Sequence, residues 1–160
     1  MMIARRLLIA VVAAQALSLA LYAADPYPPP GQAAADLQHA REHAKASGKL
    51  LMVIFGANWC PDCRALHEKL GESPIREYVT KRFEVVSINI GEKDANLDIA
   101  RNLGVTLSKG IPAAGFFTPE GKPVGFTNHG ELEPARNYNA QQVLTFLRNV
   151  AEEHLIEKPR

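Results

Sequence analysis

The two cysteines of the chain, Cys60 and Cys63, lie three positions apart in the segment NWCPDC. Such a pair can act as a redox switch, contribute half of a metal site, or form a structural disulfide. A bridge that encloses only two residues removes little entropy from the unfolded chain, which disfavours the structural use. Cys60, Cys63 and His67 form a C-x2-C-x3-H cluster, but a structural zinc site needs four ligands and the chain has no further cysteine. The redox switch is therefore the favoured interpretation.

The residues that flank the pair predict how it is positioned. LLMVIF, at residues 50–55, is an apolar run without alternation, which is typical of a strand buried on both faces. After it, CRALHEKL has helical periodicity and Pro61 suits a first helical position, so a helix is expected to begin at the cysteines. A helix N-terminus stabilises a thiolate, the form that attacks disulfides. Cys60 would form the mixed disulfide, and Cys63, one turn further along, would resolve it.

The rest of the chain predicts an α/β domain with helix, strand, helix, strand, helix, hairpin and helix in that order. We expect three layers, with a central mixed sheet of about four to five strands and helices on both faces. The cysteines would lie at the carboxyl end of the first strand, where open α/β sheets usually place their chemistry. Helix boundaries are predicted at these residues: a stop at Gly48, Ser73 as cap with Pro74 at the first position, Asp94 as cap with Gly104 as stop, and an Asn139–Gln142 capping box before a buried stripe of Val143, Leu147 and Val150.

The N-terminal residues have the layout of an export signal. Arg5 and Arg6 precede an apolar stretch over residues 7–24, which ends in small residues suited to cleavage after Ala23 or Ala24. The stretch is also near the lower limit of about 17 residues for a membrane-spanning helix, so residues 1–24 are predicted to be a cleaved signal or an uncleaved anchor. A proline-rich spacer without helix is expected over residues 25–35, followed by the domain over residues 36–158.

Export would bring the cysteines into an oxidising compartment. The chain lacks an Asn-x-Ser/Thr acceptor and ends EKPR rather than in an ER-retention tetrapeptide, which favours a bacterial periplasm over a eukaryotic lumen. The protein would be soluble there after cleavage, or tethered to the inner membrane. A formal charge of +1, from 18 basic and 17 acidic residues, predicts no nucleic-acid partner.

Four motifs in this order resemble the thioredoxin superfamily over most of residues 49–154. They are WCPDC after an apolar strand, GIPA at residues 110–113 before the next strand, EGK at the hairpin, and a terminal amphipathic helix. The resemblance implies a thioredoxin-like fold and a cis peptide bond at Pro112 facing the cysteines. It also implies that the Ile111 backbone pairs with an extended substrate segment and that Trp59 shields Cys60.

The sequence departs from the superfamily pattern beneath the cysteines. The position of its buried acid, six residues before the first cysteine, is Ile54, and the position of the accompanying lysine is Ser87. The usual route for the proton of Cys63 is therefore missing. His67, one turn beyond Cys63, is either a replacement or simply an exposed helix residue. Two long loops, TLSK and FTNHGELEPARNY, are expected to border the cysteines, where they would set partner choice or be plain surface loops.

Asp62, between the cysteines, predicts the direction of the reaction. A carboxylate there destabilises the Cys60 thiolate, which makes the dithiol the better reductant, with Pro61 as a second tuning residue. The hypothesis is an exported thiol-disulfide oxidoreductase that reduces disulfides in exported proteins and is recharged by a membrane thiol donor. It needs no metal and no cofactor beyond the Cys60–Cys63 disulfide, and its partners are protein thiols and disulfides. The alternative is a non-catalytic binding module or metallochaperone.

Overall fold

A four-stranded mixed sheet organises the structure, a computed structural model that describes residues 25–153 and residue 159. The strand order is β2-β1-β3-β4, with β1 and β2 parallel and the other neighbours antiparallel. The strands are β1 (Leu50–Gly56), β2 (Phe83–Asn89), β3 (Ala113–Phe117) and β4 (Pro123–Phe126). Helices lie on both sides of the sheet, so the predicted three-layer α/β class is confirmed, with β3 inside the sheet and β4 at its edge.

Five α-helices and two short 3-10 turns connect the strands in the described part of the chain. They are α1 (Ala33–Ser47), α2 (Pro61–Leu70), α3 (Ile75–Arg82), α4 (Leu97–Leu103) and α5 (Ala140–Arg148), with 3-10 turns at Pro30–Gln32 and Ala135–Asn137 and a π-helical turn at Asn149–Glu153. Gly48 and Gly104 end α1 and α4 with φ of 67° and 81°, left-handed values that glycine adopts at little cost. The predicted stops at both glycines are confirmed.

The middle strand β1 carries the cysteine loop out of the core. All of its residues after Leu50 are buried, because β2 and β3 flank it and helices cover the sheet. Below the cysteines, an edge-to-face series of Phe83, Phe116 and Phe146 joins β2, β3 and α5. The predicted buried stripe of α5 and its extension is confirmed at Val143, Leu147 and Val150, and both hydrogen bonds of the Asn139–Gln142 capping box are present.

Two of the predicted helix caps are wrong. Ser73 caps no helix, since its hydroxyl donates to the Glu77 carboxylate, while Pro74 is the N-cap residue and α3 begins one residue later. Asp94 is also not a cap, because Asn96 occupies the N-cap of α4. The Asp94 carboxylate instead accepts the backbone N–H of Glu92, within the turn that precedes the helix. In both cases, a nearby polar group competes with the helix for the side chain.

The proline-rich segment is packed onto the domain. The prediction of an extended spacer without helix is wrong at Pro30–Gln32, which form a 3-10 turn leading directly into α1 at Ala33. Proline fixes φ near the value a first helical turn needs, which explains the early start. The predicted signal or anchor over residues 1–24 lies outside the described residues, as do residues 154–158. None of the helices in the described ranges is long and apolar enough to cross a membrane.

Candidate active site

Cys60 and Cys63 form a disulfide at the start of α2, directly beyond the carboxyl end of β1. Cys60 is the N-cap residue, and its Sγ accepts the backbone N–H of Cys63 at 3.1 Å. Pro61 is the first helical residue, as predicted. The two cysteines are 4% and 0% exposed, so any partner reaches Cys60 first. A sulfur that accepts an otherwise unpaired N–H of the first helical turn is held where a negative charge is stabilised.

The loop before β3 faces this sulfur. Cys60 Sγ lies 3.6 Å from the carbonyl oxygen of Ile111, and the Ile111–Pro112 peptide bond is cis. Ile111 is 8% exposed and Pro112 is buried. The structure therefore brings together the cysteines and the GIPA segment that the sequence analysis associated, although they are about fifty positions apart in the chain.

Trp59 lies beside the pair but is held away from the core. Its side chain is one of the few large exposed apolar groups of the described chain, at 43% exposure. The indole Nε1–H donates to the Gly91 carbonyl at 2.8 Å, and the ammonium of Lys93 lies 5.8 Å from the ring centroid. The loop after β2 thus fixes the orientation of Trp59 next to Cys60.

Asp62 does not face the solvent as a free charge. It is 8% exposed, and its Oδ1 accepts two hydrogen bonds from Arg136, one from the backbone N–H at 2.9 Å and one from Nε at 3.1 Å. Arg136 belongs to the long loop between β4 and α5. Asp62 is recognisable from the sequence but its partner is not, because no local pattern links residues 74 positions apart.

The departures from the superfamily pattern meet beneath α2. Ile54 and Ser87 are paired in the β1–β2 register, and both line a cavity of about 320 Å³ together with Tyr27 and His67. His67 is an exposed helix residue at the rim of this cavity. The place of the expected acid and lysine is therefore occupied by an apolar side chain, a hydroxyl and open space.

Tyr27 was not identified from the sequence, although it contacts the active-site loop. Its backbone N–H donates to Asn58 Oδ1 at 3.0 Å, and Asn58 Nδ2 donates back to the Tyr27 carbonyl at 2.9 Å. The Tyr27 ring is 2% exposed, and burial raises the pKa of its hydroxyl well above the ordinary value. A Cβ at Gly56 would overlap the Tyr27 hydroxyl, so only glycine at the end of β1 leaves room for this ring.

Two further asparagines bind the same N-terminal segment. Asn89 Nδ2 donates to the Pro28 carbonyl at 3.0 Å, and Asn96 Nδ2 donates to the Pro30 carbonyl at 2.9 Å. The Pro28 carbonyl lies outside regular secondary structure, whereas the Pro30 carbonyl also accepts the Ala33 N–H of the 3-10 turn. We call Asn58, Asn89 and Asn96, with the segment over residues 27–30 that they hold, the asparagine clamp. An asparagine directly before the cysteine motif was the only sequence signal for it.

The two long loops meet each other. Asn128 accepts the Thr106 backbone N–H at 2.7 Å and donates to the Gly104 carbonyl at 3.0 Å. Within the second loop, the Tyr138 hydroxyl donates to the Glu131 carbonyl at 2.8 Å. Because Arg136 in the same loop reaches Asp62, the pair of loops is connected to the cysteine helix, in agreement with the expectation that they border the cysteines.

The described residues bring no three His, Cys, Asp or Glu side chains together as ligands for a metal ion. His67, which the sequence placed in a disfavoured C-x2-C-x3-H cluster, forms no such group with the cysteine pair in the described part of the chain.

The chain belongs to the thioredoxin-like family, whose sequence model matches residues 32–119. It is thus a thioredoxin-fold protein with a CxxC pair at disulfide distance. It is similar to the crystal structure of a disulphide isomerase from Xylella fastidiosa Temecula1. That likeness has 34% identity and a TM-score of 0.78, and it covers 82% of this chain and all of the other.

Two curated relatives match shorter parts of the chain. Tryparedoxin of Trypanosoma brucei brucei is 39% identical over 49 residues, which are 31% of this chain and 34% of the relative. The thiol:disulfide interchange protein DsbD of Vibrio cholerae serotype O1 is 29% identical over 94 residues, 56% of this chain and 14% of the relative. The chain thus spans about a third or less of the length of these two relatives.

Proposed function

We propose that the protein is an exported thiol-disulfide oxidoreductase that reduces disulfides in other exported proteins. The observation that carries the proposal is the position of Cys60 at the N-cap of α2, where its sulfur accepts the Cys63 N–H at 3.1 Å. Such a sulfur is stabilised as a thiolate, which is the attacking form. The likeness to a disulphide isomerase at 34% identity supports the same chemistry.

The reaction transfers two electrons from the cysteine pair to the substrate. The Cys60 thiolate attacks one sulfur of a substrate disulfide, which breaks that bond, forms a mixed disulfide and releases the first substrate thiolate. Cys63 then loses its proton to water and attacks Cys60 Sγ, so that the second substrate thiolate leaves and the Cys60–Cys63 bond closes. The protein ends oxidised and the substrate ends reduced.

The substrate segment is proposed to lie in an extended form along Ile111 and Pro112. The Ile111 carbonyl is 3.6 Å from Cys60 Sγ, so a backbone paired there is beside the reacting sulfur. Trp59, fixed by its hydrogen bond to Gly91, would cover the other side of the sulfur.

Charges near the pair support the reducing direction. The side chain of Asp62 is 11% exposed, whereas that of its partner Arg136 is 58% exposed. Water screens the exposed positive charge more than the buried negative one, so these two charges together make the thiolate less stable than the helix N-terminus alone would, which favours the disulfide form of the protein. A protein whose disulfide is favoured is a reductant. It then needs a donor of electrons, for which we propose a membrane thiol protein reached from the periplasm.

Reduction of insulin disulfides tests the proposed activity. Wild-type protein, supplied with a chemical thiol, should accelerate the precipitation of the insulin B chain, and Cys60→Ser should lose this acceleration completely. An equal rate for both proteins would show that the pair has no redox role.

The second candidate function is a non-catalytic thioredoxin-fold binding module or metallochaperone. The pairing of Ile54 with Ser87 favours it, since β1 carries no group to accept the Cys63 proton. The same insulin assay separates the two functions, because a binding module needs no turnover.

A further inference from the structure

An ion pair links the cysteine helix to the long loop between β4 and α5. Asp62 is the second residue of α2, two positions after Cys60, and Arg136 lies in the 3-10 turn that ends the loop. The guanidinium Nε is 3.1 Å from Asp62 Oδ1, and the backbone N–H of Arg136 binds the same oxygen at 2.9 Å. The bond from the main chain fixes the position of the loop, and the bond from the side chain brings a positive charge.

The two charges act on the cysteine pair in opposite senses. Reduction of the disulfide creates a thiolate at Cys60, which a nearby positive charge stabilises and a nearby negative charge destabilises. With both partners present, the two effects partly cancel. The loss of either partner leaves the other charge uncompensated beside the helix N-terminus, in a place where Asp62 is largely shielded from water.

We propose that Arg136 is a positioning residue for the cysteine pair, which holds and partly neutralises Asp62 and thereby sets the equilibrium between the Cys60–Cys63 disulfide and dithiol. This inference rests on the proposed redox function of the pair. The loop therefore contributes to the redox chemistry of the domain from a position that touches neither sulfur. A prediction from Asp62 alone, without Arg136, would therefore overstate the reducing power of the protein.

The test is a double-mutant cycle read out as the thiol-disulfide equilibrium constant with glutathione. Arg136→Gln should shift the equilibrium toward the protein disulfide by about threefold, the size expected for one partly screened charge. Asp62→Asn should shift it toward the dithiol by a similar factor, since the asparagine oxygen still accepts both hydrogen bonds and only the charge is lost. The double variant should return to within about twofold of the wild type.

Two further variants control the cycle. Arg136→Lys keeps the charge and should restore most of the wild-type equilibrium. Arg76→Gln removes the same charge from an exposed pair with Glu77 on α3 and should leave the equilibrium unchanged. Asp62 and Arg136 contribute to the same contact. If that contact were merely structural, the two single variants would shift the glutathione equilibrium in the same direction or leave it unchanged. Either of those results overturns the proposal.

The glutathione equilibrium involves no protein substrate, which separates this inference from the proposed function. Opposite shifts without insulin reduction would support the role of Arg136 and contradict the reductase. Insulin reduction without opposite shifts would support the reductase and contradict the role of Arg136. Circular dichroism of each variant establishes that the compared proteins are folded.

Discussion

Asn58 and Tyr27 are joined by two reciprocal hydrogen bonds, of 3.0 Å and 2.9 Å, between the side-chain amide of Asn58 and the main-chain N–H and C=O of Tyr27. The amide copies the pairing that a neighbouring strand would offer to the backbone of Tyr27. Because Asn58 lies two residues before Cys60, the proline-rich segment and the cysteine loop are parts of one hydrogen-bonded unit.

Asn58→Ala should release the N-terminal segment. Two partly buried hydrogen bonds are lost, each with a net value of about 1 kcal/mol, so we expect the free energy of unfolding to fall by about 1–3 kcal/mol. Hydrogen exchange at the Tyr27 amide should accelerate at the same time. Asn102→Ala, on the exposed side of α4, is the matched control and should change stability by less than about 0.5 kcal/mol. Unchanged exchange at Tyr27 would contradict the pairing.

Cys63→Ser should trap the reaction intermediate. The variant retains the attacking sulfur of Cys60 but cannot resolve the mixed disulfide, so covalent adducts with protein disulfides should accumulate. They are detected as high-mass bands on non-reducing gels that disappear on reduction. Cys60→Ser should give few or none, because Cys63 is fully buried. Equal adduct formation by the two variants would show that the assignment of Cys60 as the attacking cysteine is wrong.

Tyr27→Phe should reduce the fall in the free energy of unfolding at alkaline pH. Burial raises the folded-state pKa of Tyr27 above the unfolded value of about 10. The neutral phenol is therefore favoured in the folded state, and its contribution is complete below about pH 10 and is lost as the pH rises toward the folded-state pKa. Urea unfolding between pH 8 and 11 measures this. The wild type should lose more stability than the variant over that range, and parallel curves would show that Tyr27 ionises as easily in the folded chain as in the unfolded one.

The capping box of α5 offers a test of local stability away from the cysteines. Asn139→Ala removes the acceptor of the Gln142 N–H, which should lower the free energy of unfolding by about 1 kcal/mol. Gln141→Ala removes only an exposed bond to Thr145 on the same helix and serves as the control. Both variants should keep the wild-type glutathione equilibrium. A similar loss of stability in both would mean that the cap contributes no more than any surface bond.

The sequence was sufficient where a single local determinant dominates. Periodicity and apolar runs located β1 and α2, and glycine conformational freedom located the ends of α1 and α4. The N-cap position of Cys60 followed from the proline after it. These features depend on the residues within one or two turns, so a reading along the chain finds them.

The errors arise where two local hydrogen bonds compete for one side chain, and the omissions arise where a distant partner decides. Ser73 and Asp94 have the right composition for caps, but each binds a nearby group instead. Arg136 and Tyr27 are 74 and 31 positions from their partners near the cysteines, Asp62 and Asn58. Each makes two hydrogen bonds to one side chain there, and such isolated contacts leave no periodic pattern. The proline-rich segment has the composition of a spacer, and the hydrogen bonds of the asparagine clamp, together with the buried Tyr27 ring, make it part of the domain.

The clamp also determines where anything attached before Asp25 must emerge. Asp25 and Tyr27 line one depression together with Asn58, which lies two residues before Cys60 in the chain. A fluorescent label, an affinity tag or a surface linker joined at that end would stand within a few residues of the sulfur that partners must reach. For immobilisation or fusion, a support attached at Asp25 would therefore compete with partners for the approach to Cys60.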